Sequence, residues 1–256
     1  MDYAQLKKEY EENGFVKIAG MFKDEVKQIE EKLNSFLQSD EDVYKYTDNQ
    51  GILRRLEKIG NKKEFIDLNK KIANLLKEVF GEEMILFKDK YNVKPPKGEG
   101  FFAHYDSVFT WIDKDGEERK GWYEYCDTFF NVLVAIDEAN EENGALEVAK
   151  WDKNKLSYDE LYERTVKDGS ERLDEDFENS LNFKRVDLKP GDIVIFSDLA
   201  PHRSKINMSE TKSRRILYFT YNKKSDGDFY NQYFEDKYNS KEKDDVSKGF
   251  SNKLGS

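Results

Sequence analysis

Two histidines, His104 and His202, are the whole imidazole complement of the chain, so any imidazole chemistry must use one or both. His104 stands two residues before a carboxylate, in His104-Tyr105-Asp106. On a β-strand, residues two apart point to the same face, so this imidazole and carboxylate can reach one metal ion together. The pair alone is ambiguous: 53 of the 256 residues are Asp or Glu, and an acid two places after a histidine is equally expected of an incidental surface pair. His202 changes the reading. It follows the apolar run 193–196 and the turn Ser197-Asp198-Leu199-Ala200-Pro201, which supplies a second imidazole from a separate strand. Two histidines and one carboxylate form the facial set that holds non-haem Fe(II) and leaves coordination positions open. All four prolines (Pro95, Pro96, Pro190, Pro201) fall near one histidine or the other, as rigid turns around a ligand-holding loop would. Beyond His202 come Arg203-Ser204 and then Arg214-Arg215, which open a strand. An arginine buried on a neighbouring strand is a bidentate partner for a dicarboxylate, and the competing reading is a surface pair flanking that strand.

The elements that must position these residues begin with helices. Residues 3–13 read as a polar helix and 14–20 (GFVKIAG) as a short alternating run. Residues 24–37 form a helix capped by Asp24, with Val26, Ile29 and Leu33 at spacings of three and four. A third helix, 62–80, carries Phe65, Leu68, Ile72, Leu75 and Leu76 on one face and stops at Gly81. From Met84 the texture is that of strands: 84–93, 128–136, 146–148, 191–196 and 215–221. Asn143-Gly144 is a hairpin-type turn signal, and Pro190-Gly191 launches an apolar run. Short strands separated by turns predict a sandwich or barrel. The polar, acidic stretch 151–185 reads as a surface excursion with one helix near 158–166. The charged tail from about 241 to 256 is expected to be mobile, which leaves one domain over 1–240.

Composition bounds the partners. With 43 Lys and Arg against 53 Asp and Glu the net charge is −10, so there is no broad cationic footprint for nucleic acid. No run of apolar residues is long enough for a membrane span, and the N-terminus lacks the apolar region of a signal peptide. A cytoplasmic protein is expected. The single cysteine, Cys126, allows no intramolecular disulfide and no multi-thiolate metal site. With 18 Phe, 15 Tyr and 3 Trp the core must be largely aromatic, and no feature selects an oligomeric state.

Four segments carry a resemblance: EYEENGFVKIAGMF (9–22), LFKDKYNVKPPKGEGFFAHYDS (86–107), FFNVLVAIDEANEENGALEVAK (129–150) and LKPGDIVIFSDLAPHRSKINMSETKSRRILYFTYN (188–222). Together they resemble the phytanoyl-CoA dioxygenase family of Fe(II)/2-oxoglutarate-dependent oxygenases. The resemblance implies a mainly β fold with α elements, a double-stranded β-helix (jelly roll) flanked by N-terminal helices. It implies Fe(II) held by His104, Asp106 and His202, with 2-oxoglutarate and O2 as co-substrates and succinate and CO2 as products. The 2-oxoglutarate carboxylate would meet Arg214, with Arg215 as the alternative, supported by Ser204; Lys90, Asn92 and Asn131 fall on strands where the family places polar groups facing it. Because Asp106 is present, hydroxylation is favoured over halogenation. The run YNKKSDGDFYNQYFEDKY (221–238) resembles the ending of the subgroup that includes 2-aminoethylphosphonate hydroxylases, which implies a small polar substrate, an aminophosphonate or amino-acid-like zwitterion. Tyr105, Trp111, Arg203 and Tyr221 are the candidate substrate contacts. Two other readings compete: a metal-dependent hydrolase using the same three residues, and a non-catalytic jelly-roll binding module in which both histidines merely pack.

Overall fold

The computed structural model describes residues 1–38, 43–150 and 156–239; the tail expected to be mobile lies outside the described residues. The first half contains helix α1 (Tyr3–Asn13), strand β1 (Phe15–Ile18), α2 (Val26–Gln38), β2 (Tyr44–Thr47), β3 (Leu53–Glu57), α3 (Ile66–Phe80), β4 (Met84–Lys94) and β5 (Phe101–His104). Then follow β6 (Trp111–Ile112), β7 (Glu118–Arg119), β8 (Phe130–Ala135), β9 (Leu146–Ala149), α4 (Tyr158–Tyr162), α5 (Glu175–Ser180) and β10 (Phe183–Val186). The chain closes with β11 (Ile193–Ser197), β12 (His202–Ser204), β13 (Arg214–Lys223) and α6 (Tyr230–Asn239). Local chemistry sets several ends. The Asp2 carboxylate accepts the Gln5 N–H at 3.0 Å and starts α1. Gly81, at φ 79, closes α3 in the left-handed conformation that glycine adopts without a Cβ clash.

The strands form two main antiparallel sheets. Seven strands run in the order β1-β11-β8-β13-β4-β3-β2, four in the order β10-β9-β12-β5, and β6 and β7 pair separately. Period-two alternation sorts the core. On the large sheet Val132, Val134, Ile195, Leu217 and Phe219 face the helices. Leu133, Ala135, Val194, Phe196 and Ile216 face the small sheet, where Leu146, Val148 and Val186 meet them. The inward parity of β4 and β13 is polar toward one end of this interior: Arg214 pairs with Lys94, Tyr218 with Lys90 and Thr220 with Lys88.

Two expectations need correction, and one part of the site is unforeseen. Asn143-Gly144 does not close a hairpin, since β8 belongs to the large sheet and β9 to the small one, so the turn carries the chain between layers. Gly144 is required there, because at φ 70 a Cβ would lie 2.1 Å from the Lys205 carbonyl oxygen. Of the stretch 151–185, residues 151–155 lie outside the described residues, and the rest is more than a surface excursion: Leu173 donates its N–H to Ala103 at 2.8 Å, β10 pairs with β9, and Tyr158, Leu161 and Leu173 bury against Ala103 and Tyr105. Finally, β2, β3 and α6 complete the wall of the site, and the sequence reading does not anticipate them. No helix among the described residues is long and apolar enough to cross a membrane.

Candidate active site

His104 ends β5 and His202 begins β12, and the two are direct cross-strand partners with ring centroids 4.0 Å apart. Each Nδ1 lies beside a backbone carbonyl two residues earlier, His104 with Phe102 at 3.0 Å and His202 with Ala200 at 2.9 Å. That contact fixes the proton on Nδ1 and leaves Nε2 with its lone pair toward Asp106. The Nε2 atoms lie 3.8 and 3.5 Å from the two Asp106 oxygens, and one ligand atom from each residue falls within 4.8 Å of the others. Burial lowers both imidazoles, His104 to about 4 and His202 to about 3, so both are neutral near pH 7, as metal ligation requires. Burial alone would raise the Asp106 carboxyl, but His202, Lys90 and the other neighbouring groups outweigh it and hold it well below the usual carboxylate range. The donor set fits a divalent metal that takes nitrogen and oxygen ligands.

Asp106 reaches this position differently from the two-residue strand argument. β5 ends at His104 and Asp106 sits in a bend. Its N–H donates to the Asp198 carbonyl at 3.0 Å, and its Oδ2 accepts from Asn131 Nδ2 at 2.8 Å.

Two cavities meet at His104. The first, about 1190 Å³ and open to solvent, is lined by His104, His202, Ser204, Lys94, Arg214 and Tyr218, among others. Arg214 is 5 % exposed and its Nε and Nη1 have no hydrogen-bond partner. Lys94 donates to Ser204 Oγ at 2.9 Å and to the Lys205 carbonyl, and burial together with the Arg214 charge lowers its ammonium to about 6. A buried, unpartnered guanidinium beside a lysine is a seat for a dicarboxylate. The second cavity, about 1080 Å³, lies on the Asp106 side and is lined by Lys88, Lys90, Trp111, Trp122, Tyr233 and Lys237 as well as His104 and Asp106.

Other predicted site residues are placed as follows. Lys90 lines both cavities, and Asn92 lines the first, where its Oδ1 accepts from Arg55 Nε at 3.2 Å. Trp111 lines the second and donates to the Gly121 carbonyl at 3.4 Å. Asn131 lines neither cavity; its amide bonds Asp106 and Thr220 Oγ1, which donates to Asn131 Oδ1 at 2.7 Å. Arg215 has the wrong parity, pairing outward with Asp137 at 2.7 Å and with Glu30. Tyr221 also points outward, donating to Asn69 Oδ1 at 2.8 Å, and Tyr105 packs at 2 % exposure against the far side of β5. Arg203 lines the first cavity beside His202 and Ser204, with its guanidinium held by Glu147 and Glu178. The sequence reading misses Arg55, Glu57, Tyr233 and Lys237. For α6 the signal exists, since Tyr230, Tyr233, Phe234, Lys237 and Tyr238 follow helical spacing.

A family model, phytanoyl-CoA dioxygenase (PhyH), matches residues 10–216. The chain is 30% identical over 250 residues to 2-aminoethylphosphonate dioxygenase of uncultured bacterium HF130_AEPn_1, covering 91% of this chain and 86% of that protein. It is 32% identical over 169 residues to methylphosphonate hydroxylase of Gimesia maris, covering 65% of this chain and 56% of that protein. Among solved structures, EctD from S. alaskensis with 2-oxoglutarate and 5-hydroxyectoine superposes with a TM-score of 0.64 at 19% identity, covering 87% of this chain and 77% of that one. That last likeness is one of fold.

Proposed function

The chain belongs to the phytanoyl-CoA dioxygenase family, and from that premise we propose that it is a Fe(II)/2-oxoglutarate-dependent dioxygenase hydroxylating a small phosphonate, built as one domain over 1–240 on a double-stranded β-helix. The observation that carries the reading is the convergence of His104, Asp106 and His202 beside a cavity whose buried Arg214 guanidinium has unpartnered nitrogens. When bound, iron and 2-oxoglutarate supply the oxidising power, with O2 consumed, succinate and CO2 released and one oxygen atom delivered to the substrate.

The protein's own groups bind, orient and exclude. His104 and His202 offer neutral Nε2 atoms on one side of the site, and Asn131 holds the Asp106 carboxylate by one oxygen, leaving the other free to ligate. Arg214, Lys94 and Ser204 fix the remote carboxylate of the dicarboxylate, so that its 2-oxo acid end is directed to the histidines. Trp111, Trp122 and Tyr233 wall the second cavity with rings that limit water around the reacting substrate. No side chain need act as a general base, which suits a chain whose two histidines are both used as ligands. The phosphonate class is supported by the printed activities of two relatives. A hydrolase would leave the buried Arg214 and Lys94 without a task.

The test is anaerobic addition of Fe(II) and 2-oxoglutarate, followed by O2 and a panel of alkyl- and aminophosphonates, amino acids and betaines. The reading expects the visible charge-transfer band of a chelated 2-oxo acid and succinate release coupled to a phosphonate. Absence of the band in folded protein refutes the dioxygenase reading, and coupling to amino acids or betaines but no phosphonate refutes the substrate class.

A further inference from the structure

The second cavity holds two ammonium groups with no hydrogen-bond acceptor among the described residues. Lys88 is 9 % exposed, and its Nζ lies 3.7 Å from the Trp122 ring centroid and 5.5 Å from that of Tyr233. Lys90 Nζ lies 4.9 Å from the Tyr218 centroid. Aromatic faces favour a cation but leave its N–H donors unused. Of the nearby acids, all but Glu171 are already engaged. Asp89, between the two lysines, faces the opposite way and accepts from Ile59 N, Gly60 N and Tyr230 Oη. Glu57 accepts from Lys237, Tyr238 and Arg55, and Asp106 belongs to the metal set. Apart from Asp106, four cations (Arg55, Lys88, Lys90, Lys237) line this cavity against two carboxylates (Glu57, Glu171). Two positive charges are left over in a largely buried place, which is costly unless an anion joins them.

The co-substrate cannot be that anion while also seated at Arg214. Lys88 and Lys94 are six residues apart on β4, roughly 20 Å along an extended strand, beyond the span of a five-carbon dicarboxylate. We propose that Lys88 and Lys90 are the seat of the substrate's doubly charged phosphonate group, a specificity-determining pair that selects a dianionic head over a singly charged carboxylate. The inference rests on the phosphonate-hydroxylase reading and deepens it. Lysine suits the task, since an ammonium is a compact point charge that binds tetrahedral oxyanions without a planar fork. Burial and the neighbouring Lys90 push the Lys88 ammonium well below its ordinary range, and a bound dianion relieves that cost.

The test uses the protein loaded anaerobically with Fe(II) and 2-oxoglutarate, with methylphosphonate as the probe, acetate as the singly charged control and calorimetry as the readout. Wild type is expected to bind methylphosphonate and to bind acetate at least about tenfold more weakly. Lys88→Met and Lys90→Met should each weaken methylphosphonate by about tenfold to a hundredfold, the loss of a charge-assisted contact. Their thermal midpoints without phosphonate should stay at or above wild type, because no hydrogen bond or ion pair is lost and removing a buried charge outweighs the lost contact with the aromatic rings. Equal binding of acetate, wild-type affinity in both variants, or a lowered midpoint in Lys88→Met overturns the seat. The charge-transfer band separates this from the parent reading. If the band forms but the variants bind normally, the seat alone fails; if wild type shows no band yet binds methylphosphonate through Lys88, the dioxygenase reading alone fails.

Discussion

Replacing Arg214 with methionine should produce two effects of opposite sign. The guanidinium is 5 % exposed, its Nε and Nη1 are unpartnered, and Lys94, itself lowered to about 6, lies close enough to feel its charge. An isolated buried charge destabilises by several kcal/mol, and an apolar residue of similar volume recovers about 1–4 kcal/mol. For a chain of this length that corresponds to roughly 2–4 °C in midpoint per kcal/mol. Ligand-free Arg214→Met should therefore unfold at higher temperature than wild type. With 2-oxoglutarate the gap shifts toward wild type: two lost charge-assisted hydrogen bonds at about 1.5–3 kcal/mol each raise its Kd by about a hundredfold to ten-thousandfold. At a 2-oxoglutarate concentration of about 100 times the wild-type Kd, wild type gains about 2.7 kcal/mol and the variant almost nothing. Thermal unfolding of both proteins, with a redox-inert divalent metal and increasing 2-oxoglutarate, checks both signs in one experiment. A ligand-free variant less stable than wild type would mean that the guanidinium has a partner in the folded protein, and a 2-oxoglutarate affinity within a few-fold of wild type would mean that it faces something else. Either result refutes the reasoning.

Asn131→Ala removes the 2.8 Å hold on Asp106, so metal affinity should fall by about tenfold to a hundredfold, measured by competition with a chelator; unchanged affinity would show that Asp106 is positioned by its backbone alone. Glu57 provides a pH test. Burial would raise it, but Lys237 and Arg55 outweigh that and hold it at about 2, below the usual 4.5. A carboxyl depressed in the folded state stabilises fully above its unfolded pKa, and that contribution, on the order of 3 kcal/mol, is lost as pH falls from about 4.5 toward 2. Urea unfolding of wild type and Glu57→Gln should thus show a gap that narrows with acid, and a constant gap contradicts the ion-pair account. Tyr221→Phe deletes a bond to Asn69 in the helical layer, so stability should fall by about 1 kcal/mol with kcat/KM unchanged; a large change in KM would place Tyr221 in the site after all.

The sequence alone carries far where apolar side chains gather. The strands 84–93, 191–196 and 215–221 are legible because runs of apolar and aromatic side chains mark them, and β4, β11 and β13 occupy those positions. The failures share one cause. Tyr105, Arg215 and Tyr221 neighbour site residues in sequence, but parity decides which neighbour looks inward. Arg203, between His202 and Ser204, also lines the first cavity, but Glu147 and Glu178 hold its guanidinium. The resemblance places Asn131 facing the co-substrate, yet its register partner Thr220 and the bend at Asp106 fix its amide on the carboxylate.

Residue type and order by themselves determined the chemistry on offer: two imidazoles, one carboxylate two places after the first, and an arginine on the strand that follows the second. They also determined the β-rich frame. Tertiary structure decided everything that depends on contacts across the chain. It turned Arg214 inward and Arg215 outward, set Lys94 beside Ser204 across the interior, and brought Arg55 and Glu57 of β3 and Lys237 of α6 to a wall with Lys88 and Lys90. The physical reason is that charge carries no period. Apolar residues announce their burial because water excludes them at regular spacings, but a lysine bound for a solvated face and one bound for a cavity are written alike until the packed sheets remove the water from one of them.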